Sequence, residues 1–297
     1  MRVWPANFQV YGLRRDLGVK LQSGVETMFS GNDVAVPAAL SVAPPAGRVR
    51  PIGKTLLFEC RGATKTTRFR KCRDVIVAGN VQPFLYVNHD GWLSRYKILH
   101  NGCRQIVNFV LPGEIFGLPA CAFGNSLYSV ATITQCSLST VPIEVVAVAV
   151  EQNPELSKAL LLAAIGEAAI LGERLIDTAR RSAYGRVSHF LLELFVRLER
   201  SGQTDNLSFD MPLTQEVIGD ALGLSPVHVN RTLRALRDDK LIALDGKRVT
   251  LRDFEALCRL SDFEQSYLGD GGWLRPQAVD ASPQRDASLT GVAAVTP

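Results

Sequence analysis

The residues that bind metals and organic cofactors are few and scattered in this 297-residue sequence. No two of the four histidines form a spaced pair; they are His89, His100, His189 and His228. The six cysteines include no CxxC pair; they are Cys60, Cys72, Cys103, Cys121, Cys136 and Cys258. We expect most of these cysteines to be small buried hydrophobic residues, because their spacing supports neither a zinc nor an iron–sulfur site. No cofactor is predicted, although a haem with one histidine ligand, His89 or His100, stays open.

Long apolar runs are also missing. The sequence contains no stretch of about 18 apolar residues and no basic-then-apolar leader with a small-residue cleavage site. We therefore expect a cytoplasmic protein that does not bind a membrane. No nucleophile–base motif, phosphate loop or paired acidic constellation stands out, so an enzyme is not predicted.

The chain also lacks a strong net charge, which is only +4. Between residues 180 and 264, 13 Lys and Arg face 13 Asp and Glu. Any affinity of this segment for nucleic acid must come from how its charges are arranged. The first 79 residues hold 13 basic and 5 acidic side chains. We expect this excess of basic residues to belong to a solvated or poorly ordered extension.

The most informative stretch is LTQEVIGDALGLSPVHVNRTLRAL, residues 213–236. Thr214 predicts the cap of a first helix, Gly223 a turn, and Ser225-Pro226 the start of a second helix. Small Gly219 stands where two helices cross. The second helix would bury its apolar side and expose a polar one that suits DNA base edges and phosphates. The pattern predicts a helix-turn-helix; an ordinary helical hairpin is the alternative.

A wing follows this stretch. Residues 240–254, KLIALDGKRVTLRDF, contain two short apolar runs around Asp245-Gly246, a dipeptide that favours a two-residue hairpin. Lys247 and Arg248 lie at or just past its tip, where a side chain can reach a DNA phosphate.

An antiparallel β domain precedes these elements. From Thr66, short β-branched and aromatic runs alternate with turn dipeptides. Asp90-Gly91 and Asn101-Gly102 each predict a tight hairpin, and the second joins WLSRYKIL to CRQIVNFVL. Strands this short predict a small antiparallel roll, and the fold class is α+β.

One long helix is predicted between the two domains, over EQNPELSKALLLAAIGEAAILGERLIDTARRSA. Apolar residues recur along it at spacings of three and four; they are Leu160, Ala164, Ala168, Leu171 and Leu175. This stripe predicts a homodimer, although it can also pack on the β domain. A further amphipathic helix, GRVSHFLLELFVRLERSG, has an apolar side that should be core.

Five segments result. They are a poorly structured basic extension over 1–65, a β-roll sensor domain over 66–150, a dimerisation helix over 151–182, a winged helix-turn-helix over 183–268 and a disordered tail over 269–297.

This order of roll, long helix and winged helix-turn-helix resembles the Crp/Fnr family of bacterial transcription regulators, whose sensor domain has the cyclic-nucleotide-binding fold. Two motifs carry the resemblance: RQIVNFVLPGEIFGL at 104–118 and the stretch at 213–236. It implies a homodimer that binds a roughly palindromic site in double-stranded DNA and contacts RNA polymerase. Activation is the commoner outcome in the family.

The resemblance also assigns roles to residues. Arg231 stands where the family has a recognition-helix arginine that reads guanine, and Pro226 and Val227 replace the usual base-reading neighbours. His228 and Asn230 are the expected substitutes for base contact. The residues predicted to contact the DNA backbone are Thr214, Gln215, Ser225, Arg234, Lys247 and Arg248. Thr214 and Ser225 can instead be helix caps and nothing more.

The sensor motif departs from members that bind cyclic AMP. Their glutamate and Arg-Ser pair are replaced here by Gly117-Leu118-Pro119 and Tyr128-Ser129. A buried cyclic phosphate without an arginine lacks partners, so we expect no cyclic-AMP response. The candidate effector pocket is Gly113, Glu114, Gly117 and Ser129, for an unidentified small molecule or none. Residues 113–129 can also be only core and turns.

Two other functions fit less of the sequence. One is a cupin-like β roll that binds a small molecule or a metal and carries an appended interaction domain, but the scarcity of histidine argues against the metal. The other is a scaffold whose winged domain binds proteins.

Overall fold

The computed structural model of the chain describes residues 52–268, apart from the side chains of residues 120–122. Eight strands and four helices make up the first part. They are α1 Ile52–Glu59, β1 Lys65–Phe69, β2 Asp74–Ile76, β3 Phe84–Asp90, β4 Leu93–Ile98, β5 Arg104–Val110, β6 Ile115–Phe116, α2 Leu118–Phe123, β7 Ser129–Thr132, β8 Cys136–Pro142, α3 Ile143–Gln152 and α4 Pro154–Ala179.

The eight strands form two antiparallel sheets, with the orders β1-β8-β3-β6 and β2-β7-β4-β5. One apolar cluster lies between them, because alternate residues of both sheets point inward. Its members are Ile76, Tyr86, Leu93, Val110, Phe116, Val130, Cys136 and Leu138. The predicted antiparallel roll within an α+β fold is confirmed, and we call β1–β8 the sensor roll.

The hairpin predicted at Asn101-Gly102 joins β4 to β5, whose last paired residues are Ile98 and Arg104. The hairpin predicted at Asp90-Gly91 is wrong. Strands β3 and β4 pair with other strands and lie in different sheets, so this turn carries the chain from one sheet to the other. Gly91 has a φ of +84°, and a Cβ atom there would lie 2.2 Å from the Gln135 carbonyl oxygen.

Helix α1 corrects the prediction of poor structure up to residue 65. It buries Leu56 against the roll and helices α3 and α4, in a core that also contains Cys60. The apolar residues of this segment recur at helical spacing, which indicates a helix. This short signal was not recognised because the surrounding sequence is rich in Pro and Gly. The rest of the predicted extension, 1–51, and the predicted tail, 269–297, lie outside the described residues.

The expectation that most cysteines are buried is only partly met. Cys60 and Cys136 are buried, whereas Cys72 and Cys103 are exposed and Cys258 is half-buried. The side chain of Cys121 is among those not described.

The predicted long helix is present as α4. It starts one residue after Asn153, whose Oδ1 accepts hydrogen bonds from the Glu155 and Leu156 amides at 3.0 and 3.2 Å, with Pro154 in the first turn. This cap separates α4 from α3, a helix that was not predicted from the sequence. Within residues 52–268, no helix combines the length and apolarity needed to span a membrane.

The second part of the chain, α5 to α8, is called the reader. Its elements are α5 Ala183–Arg200, β9 Thr204–Asp205, β10 Ser208–Asp210, α6 Gln215–Leu222, α7 Pro226–Asp238, β11 Ile242–Asp245, β12 Arg248–Leu251 and α8 Phe254–Ser261, followed by a 3-10 turn at Gln265–Leu268. The predicted wing is β11–β12, and β10 and β9 extend it to a four-stranded sheet.

The sensor roll and the reader share one apolar core. Phe109 of β5 packs against Phe190 of α5, with ring centroids 5.7 Å apart, and both side chains are fully buried. Each such side chain contributes roughly 1.5–3 kcal/mol of burial free energy. The packing therefore holds the reader directly against the sheet that contains β4 and β5.

Candidate nucleic-acid interface

Helix α6 has the predicted cap and turn. The Thr214 hydroxyl oxygen accepts a hydrogen bond from the Val217 amide at 3.2 Å, and Gly223 ends the helix in the left-handed conformation with φ +65°. Arg186 of α5 donates to the Leu222 carbonyl oxygen at 2.8 Å and so satisfies one of the carbonyls at the end of α6.

Helix α7 begins as the sequence predicted. The Ser225 hydroxyl oxygen accepts from the His228 amide at 3.2 Å, and Pro226 occupies the first turn. The helix buries one apolar side, formed by Val229, Leu233 and Leu236, against the core. The helix-turn-helix is therefore present, and the hydroxyl oxygens of Thr214 and Ser225 act as caps.

The outer side of α7 is exposed and polar. Asn230, Arg231 and Arg234 are exposed. They line one concave surface together with side chains of the first turns of α6 and α7: Gln215, Pro226 and Val227. His228 is half-buried and does not line this surface. The structure thus brings four of the nine predicted contact residues together on this surface, namely Gln215, Asn230, Arg231 and Arg234, and His228 is not among them.

The four cations predicted to contact DNA differ in their surroundings. Among residues 52–268, Arg231 and Lys247 make no ion pair, and Lys247 stands in the wing turn next to Gly246, which has a φ of +58°. Arg234 lies 3.9 Å from Asp238, with both side chains exposed, so this pair is weak. Arg248 is held by Asp205 at 2.6 Å.

The four residues predicted as an effector pocket each make contacts within the fold. Gly113 donates its amide proton to Asn88, and a Cβ atom on Gly117 would lie 2.9 Å from the Phe84 carbonyl oxygen. Glu114 binds Arg197, and the Ser129 hydroxyl oxygen accepts from the Ala78 amide. None of the four lines the concave surface at α7 or the cavity between α2 and α4, so their role in binding an effector stays a prediction.

A different cavity of about 340 Å³ lies between α2 and α4. It is lined by Leu118, Pro119, Phe123, Leu127, Tyr128, Ala164, Glu167, Ala168 and Leu171. Beside it, buried Arg95 of β4 pairs with Glu167 and lies over the Tyr128 ring, 5.4 Å from its centroid. Arg95 was not predicted from the sequence, because nothing local distinguishes it from the exposed residues of a two-faced strand.

The predicted stripe on α4 is only partly exposed. Ala164, Ala168 and Leu175 are exposed, and Leu171 is half-buried beside the cavity. Leu160 is half-buried and packs against the core around α1, β3 and β8, in line with the alternative that the stripe packs on the β domain. The exposed apolar face of α4 is formed by Leu161, Ile165, Ala168, Gly172, Leu175 and Ile176.

A buried polar network around Glu193 and Arg197 was also not predicted from the sequence. These two residues lie in the otherwise apolar run LLELFVRL of α5, four positions apart. That spacing is the local signal of a helical ion pair, but it gives no indication of burial or of partners elsewhere in the chain. Residues 52–268 contain no group of three or more His, Cys, Asp or Glu side chains arranged to hold a metal ion.

Two family models match the chain. A cyclic nucleotide-binding domain matches residues 66–153, and a Crp-like helix-turn-helix domain matches residues 185–260.

Known proteins are similar over most of the described range. The nitrogen fixation regulation protein FixK of Azorhizobium caulinodans is 31% identical over 193 residues, which are 65% of this chain and 77% of the relative. The transcriptional activatory protein AadR of Rhodopseudomonas palustris is 32% identical over 164 residues, 54% of this chain and 66% of AadR. The structure of FixK2 from Bradyrhizobium japonicum superposes with a TM-score of 0.60 at 26% identity and covers 68% of this chain and 98% of that one.

Proposed function

Because the chain belongs to the Crp/Fnr family of transcription regulators, we propose that it acts as a homodimer that places two copies of α7 in successive major grooves of a palindromic operator. It is a DNA-binding transcription regulator with a cyclic-nucleotide-binding-like domain, and its family consists of regulators rather than enzymes. Its place of action is the cytoplasm, where bacterial DNA lies.

The observation that carries this proposal is the outer side of α7. Arg231 is exposed and makes no ion pair within residues 52–268, so its planar fork is available to donate two hydrogen bonds to a guanine edge. The side-chain amide of Asn230, next to Arg231 in the helix, suits hydrogen bonding to the edge of an adenine. Val227 is 79% exposed, and an exposed apolar side chain at the start of a recognition helix suits a thymine methyl group. His228 would make only a minor contribution to base contact, since its side chain is half-buried.

Backbone contacts would come from the same surface and from the wing. Gln215 and Arg234 line it, and Lys247 projects from the wing turn. The capping hydroxyls of Thr214 and Ser225 still have a proton to donate to phosphate. Arg248 contributes least among the predicted cations, because Asp205 already neutralises it.

The exposed face of α4 supports dimerisation. Leu161, Ile165 and Leu175 are 52%, 40% and 70% exposed, and they recur along one side of a 26-residue helix. A second α4 packed against this face would remove these side chains from water. The two readers would then contact half-sites about one helical turn apart, ~34 Å.

The further partner is RNA polymerase, and activation is the proposed outcome, in line with the name of the relative AadR. An effector, if one binds, would enter the cavity between α2 and α4, because that cavity touches both the sensor roll and the dimer helix.

Substitution of Arg231 tests the proposal. Arg231→Ala should weaken binding to the cognate site by about 1–3 kcal/mol and leave binding to random DNA nearly unchanged. Arg68→Ala, which removes an exposed arginine from β1, is the matched control and should change neither. Equal losses on cognate and random DNA would mean that Arg231 contacts only phosphate.

A further inference from the structure

Arg197 of α5 uses all five of its N–H donors inside the protein. Its Nε and Nη2 donate to the two carboxylate oxygens of Glu114 at 3.0 and 2.8 Å. Nη1 donates to Asn108 Oδ1 and Glu193 Oε1 at 3.1 and 2.9 Å, and Nη2 also donates to the Phe109 carbonyl oxygen at 2.7 Å. Four of these five bonds end on the sensor roll or on the turn after β5.

The same network reaches the long helix α4. Glu193 is fully buried, and its Oε1 also accepts a hydrogen bond from Arg174 Nη2 at 2.9 Å. Arg174 in turn pairs with Asp177 of its own helix. We call this set the interdomain ion network: Asn108, Glu114, Arg174, Asp177, Glu193 and Arg197. It joins the sensor roll, α4 and the reader.

This network fixes the orientation of the reader on the sensor roll more strictly than the shared apolar core does. Apolar packing between Phe109 and Phe190 favours burial but has little directional preference. A planar guanidinium with five donors in fixed directions accepts only one placement of its acceptors. Breaking it would leave buried charges without partners, because Arg197 is only 6% exposed.

A second contact lies on the outside. At the end of the β4–β5 hairpin, Arg104 Nε donates to Asp220 Oδ2 at 2.8 Å, and Gln105 Nε2 donates to the Asp220 carbonyl oxygen at 2.9 Å. Asp220 belongs to α6, the first helix of the helix-turn-helix. We call this the hairpin contact, and it holds the reader at a second point.

The sensor roll is itself fixed to α4. Arg95 of β4 pairs with Glu167 of α4, and α1 and α3 pack against the start of the same helix. The orientation of the reader on the sensor roll therefore also sets its orientation relative to α4, along which two chains would pair.

We infer that the interdomain ion network and the hairpin contact set the distance and angle between the two readers of the dimer, and so the half-site spacing that the protein accepts. Arg197 is a positioning residue in this role, since it acts through the placement of α7 and contacts no base. The inference rests on the proposed function, because it needs a dimer that reads two half-sites.

The test is a series of palindromic DNAs whose half-sites are moved apart or together by one base pair, plus an isolated half-site. Two variants weaken the two contacts from the sensor side: Glu114→Gln for the network and Arg104→Gln for the hairpin contact. Glu151→Gln, at an exposed position of α3, is the matched control. Arg104 is exposed, so its variant should fold even if Glu114→Gln does not.

We expect a clear loss of affinity for the shifted palindromes with the unsubstituted protein and with Glu151→Gln. In Glu114→Gln and Arg104→Gln this loss should shrink by about threefold or more, with binding to the isolated half-site unchanged. If the network only stabilised the fold, the substitutions would lower the fraction of active protein. The ratio between the affinities for palindromes of different spacing would then equal that of the unsubstituted protein.

Spacing ratios equal to those of the unsubstituted protein in both variants would overturn the inference while leaving the dimeric reader intact. If the unsubstituted protein itself binds all spacings and the isolated half-site equally well, the dimeric reader and this role of Arg197 both fail.

Discussion

The backbone of Gly219 lies so close to Leu224 that a Cβ atom on residue 219 would stand 2.4 Å from the Leu224 carbonyl oxygen. The obstacle is backbone, which cannot rotate away as a side chain can. The close approach of α6 to the turn before α7 therefore depends on the missing side chain, and so does the angle at which α7 is presented.

Gly219→Ala should consequently lower the free energy of unfolding by about 1–3 kcal/mol, the cost of forcing an extra carbon into a packed site. Urea denaturation measures it. Gly166→Ala is the matched control in α4, where a Cβ atom meets nothing within 4 Å, and it should be neutral or stabilising by about 0.5–1 kcal/mol. Equal stability of Gly219→Ala and the unsubstituted protein would contradict the close approach.

A charge on the exposed face of α4 should separate the proposed dimer. Leu175→Glu places a carboxylate where two helices would meet, while in a single chain the side chain is 70% exposed and loses little. Sedimentation equilibrium should show a shift from dimer to monomer. Val81→Glu, at a position 74% exposed on the sensor roll, should leave the mass unchanged. A Leu175→Glu protein that remains dimeric would place the interface elsewhere.

Cyclic AMP should not bind. Tyr128-Ser129 offers no guanidinium for the cyclic phosphate, and the nearby Arg95 is buried and neutralised by Glu167. An anion that entered this site would have to displace Glu167 and lose its own water. Isothermal calorimetry at physiological concentrations of cyclic AMP should give no saturable heat, and a saturable signal with one site per chain would refute this prediction.

Acid should destabilise the fold through His189, which is fully buried. The carboxylates nearest to its ring, those of Glu173 at 3.2 Å and Asp177 at 3.6 Å, are already paired with Arg181. Burial, together with the guanidinium groups of Arg181 and Arg174, lowers the pKa of His189 to about 3. In the unfolded chain this histidine has a pKa of about 6.5. Between these values only the unfolded state takes up the proton, so the free energy of unfolding falls as the pH falls from about 6.5 towards 3, by up to about 1.4 kcal/mol per unit.

His189→Gln isolates this effect, because glutamine keeps a polar side chain that does not titrate. The decline in unfolding free energy between about pH 6 and 5 should be shallower in this variant by about 1 kcal/mol per unit. Burial raises the pKa of Asp177, so this carboxyl works in the opposite direction and offsets part of the change near its own pKa. His100→Gln, at an exposed hairpin position, should keep the original slope, and an unchanged slope in His189→Gln would argue against the assignment.

Features set by neighbours in the chain could be predicted from the sequence. The caps at Thr214 and Ser225 and the turn at Gly223 depend on residues two to four positions away, and all are present. The hairpin expected at Asp90-Gly91 failed for the opposite reason. The dipeptide fits a tight turn, but the pairing of β3 and β4 depends on strands far away in the sequence.

The partners of the buried charges are even harder to predict from the sequence, because they lie far apart in the chain. Arg197 and Glu114 are 83 positions apart, and neither has a local feature that identifies the other. The stripe on α4 was predicted from helical spacing, but which residues of the helix stay exposed depends on their packing against α1 and the sensor roll. Leu160 is half-buried against this core, whereas its neighbour Leu161 is 52% exposed.

The central claim is that a pair of α7 helices reads a palindrome, and selection of bound sequences from random double-stranded DNA tests it most directly. We predict an enriched motif with two inverted half-sites about one helical turn apart, ~34 Å between centres, each containing a guanine whose enrichment disappears with Arg231→Ala. Recovery of no preferred sequence, or of a single motif without an inverted repeat, would contradict the account.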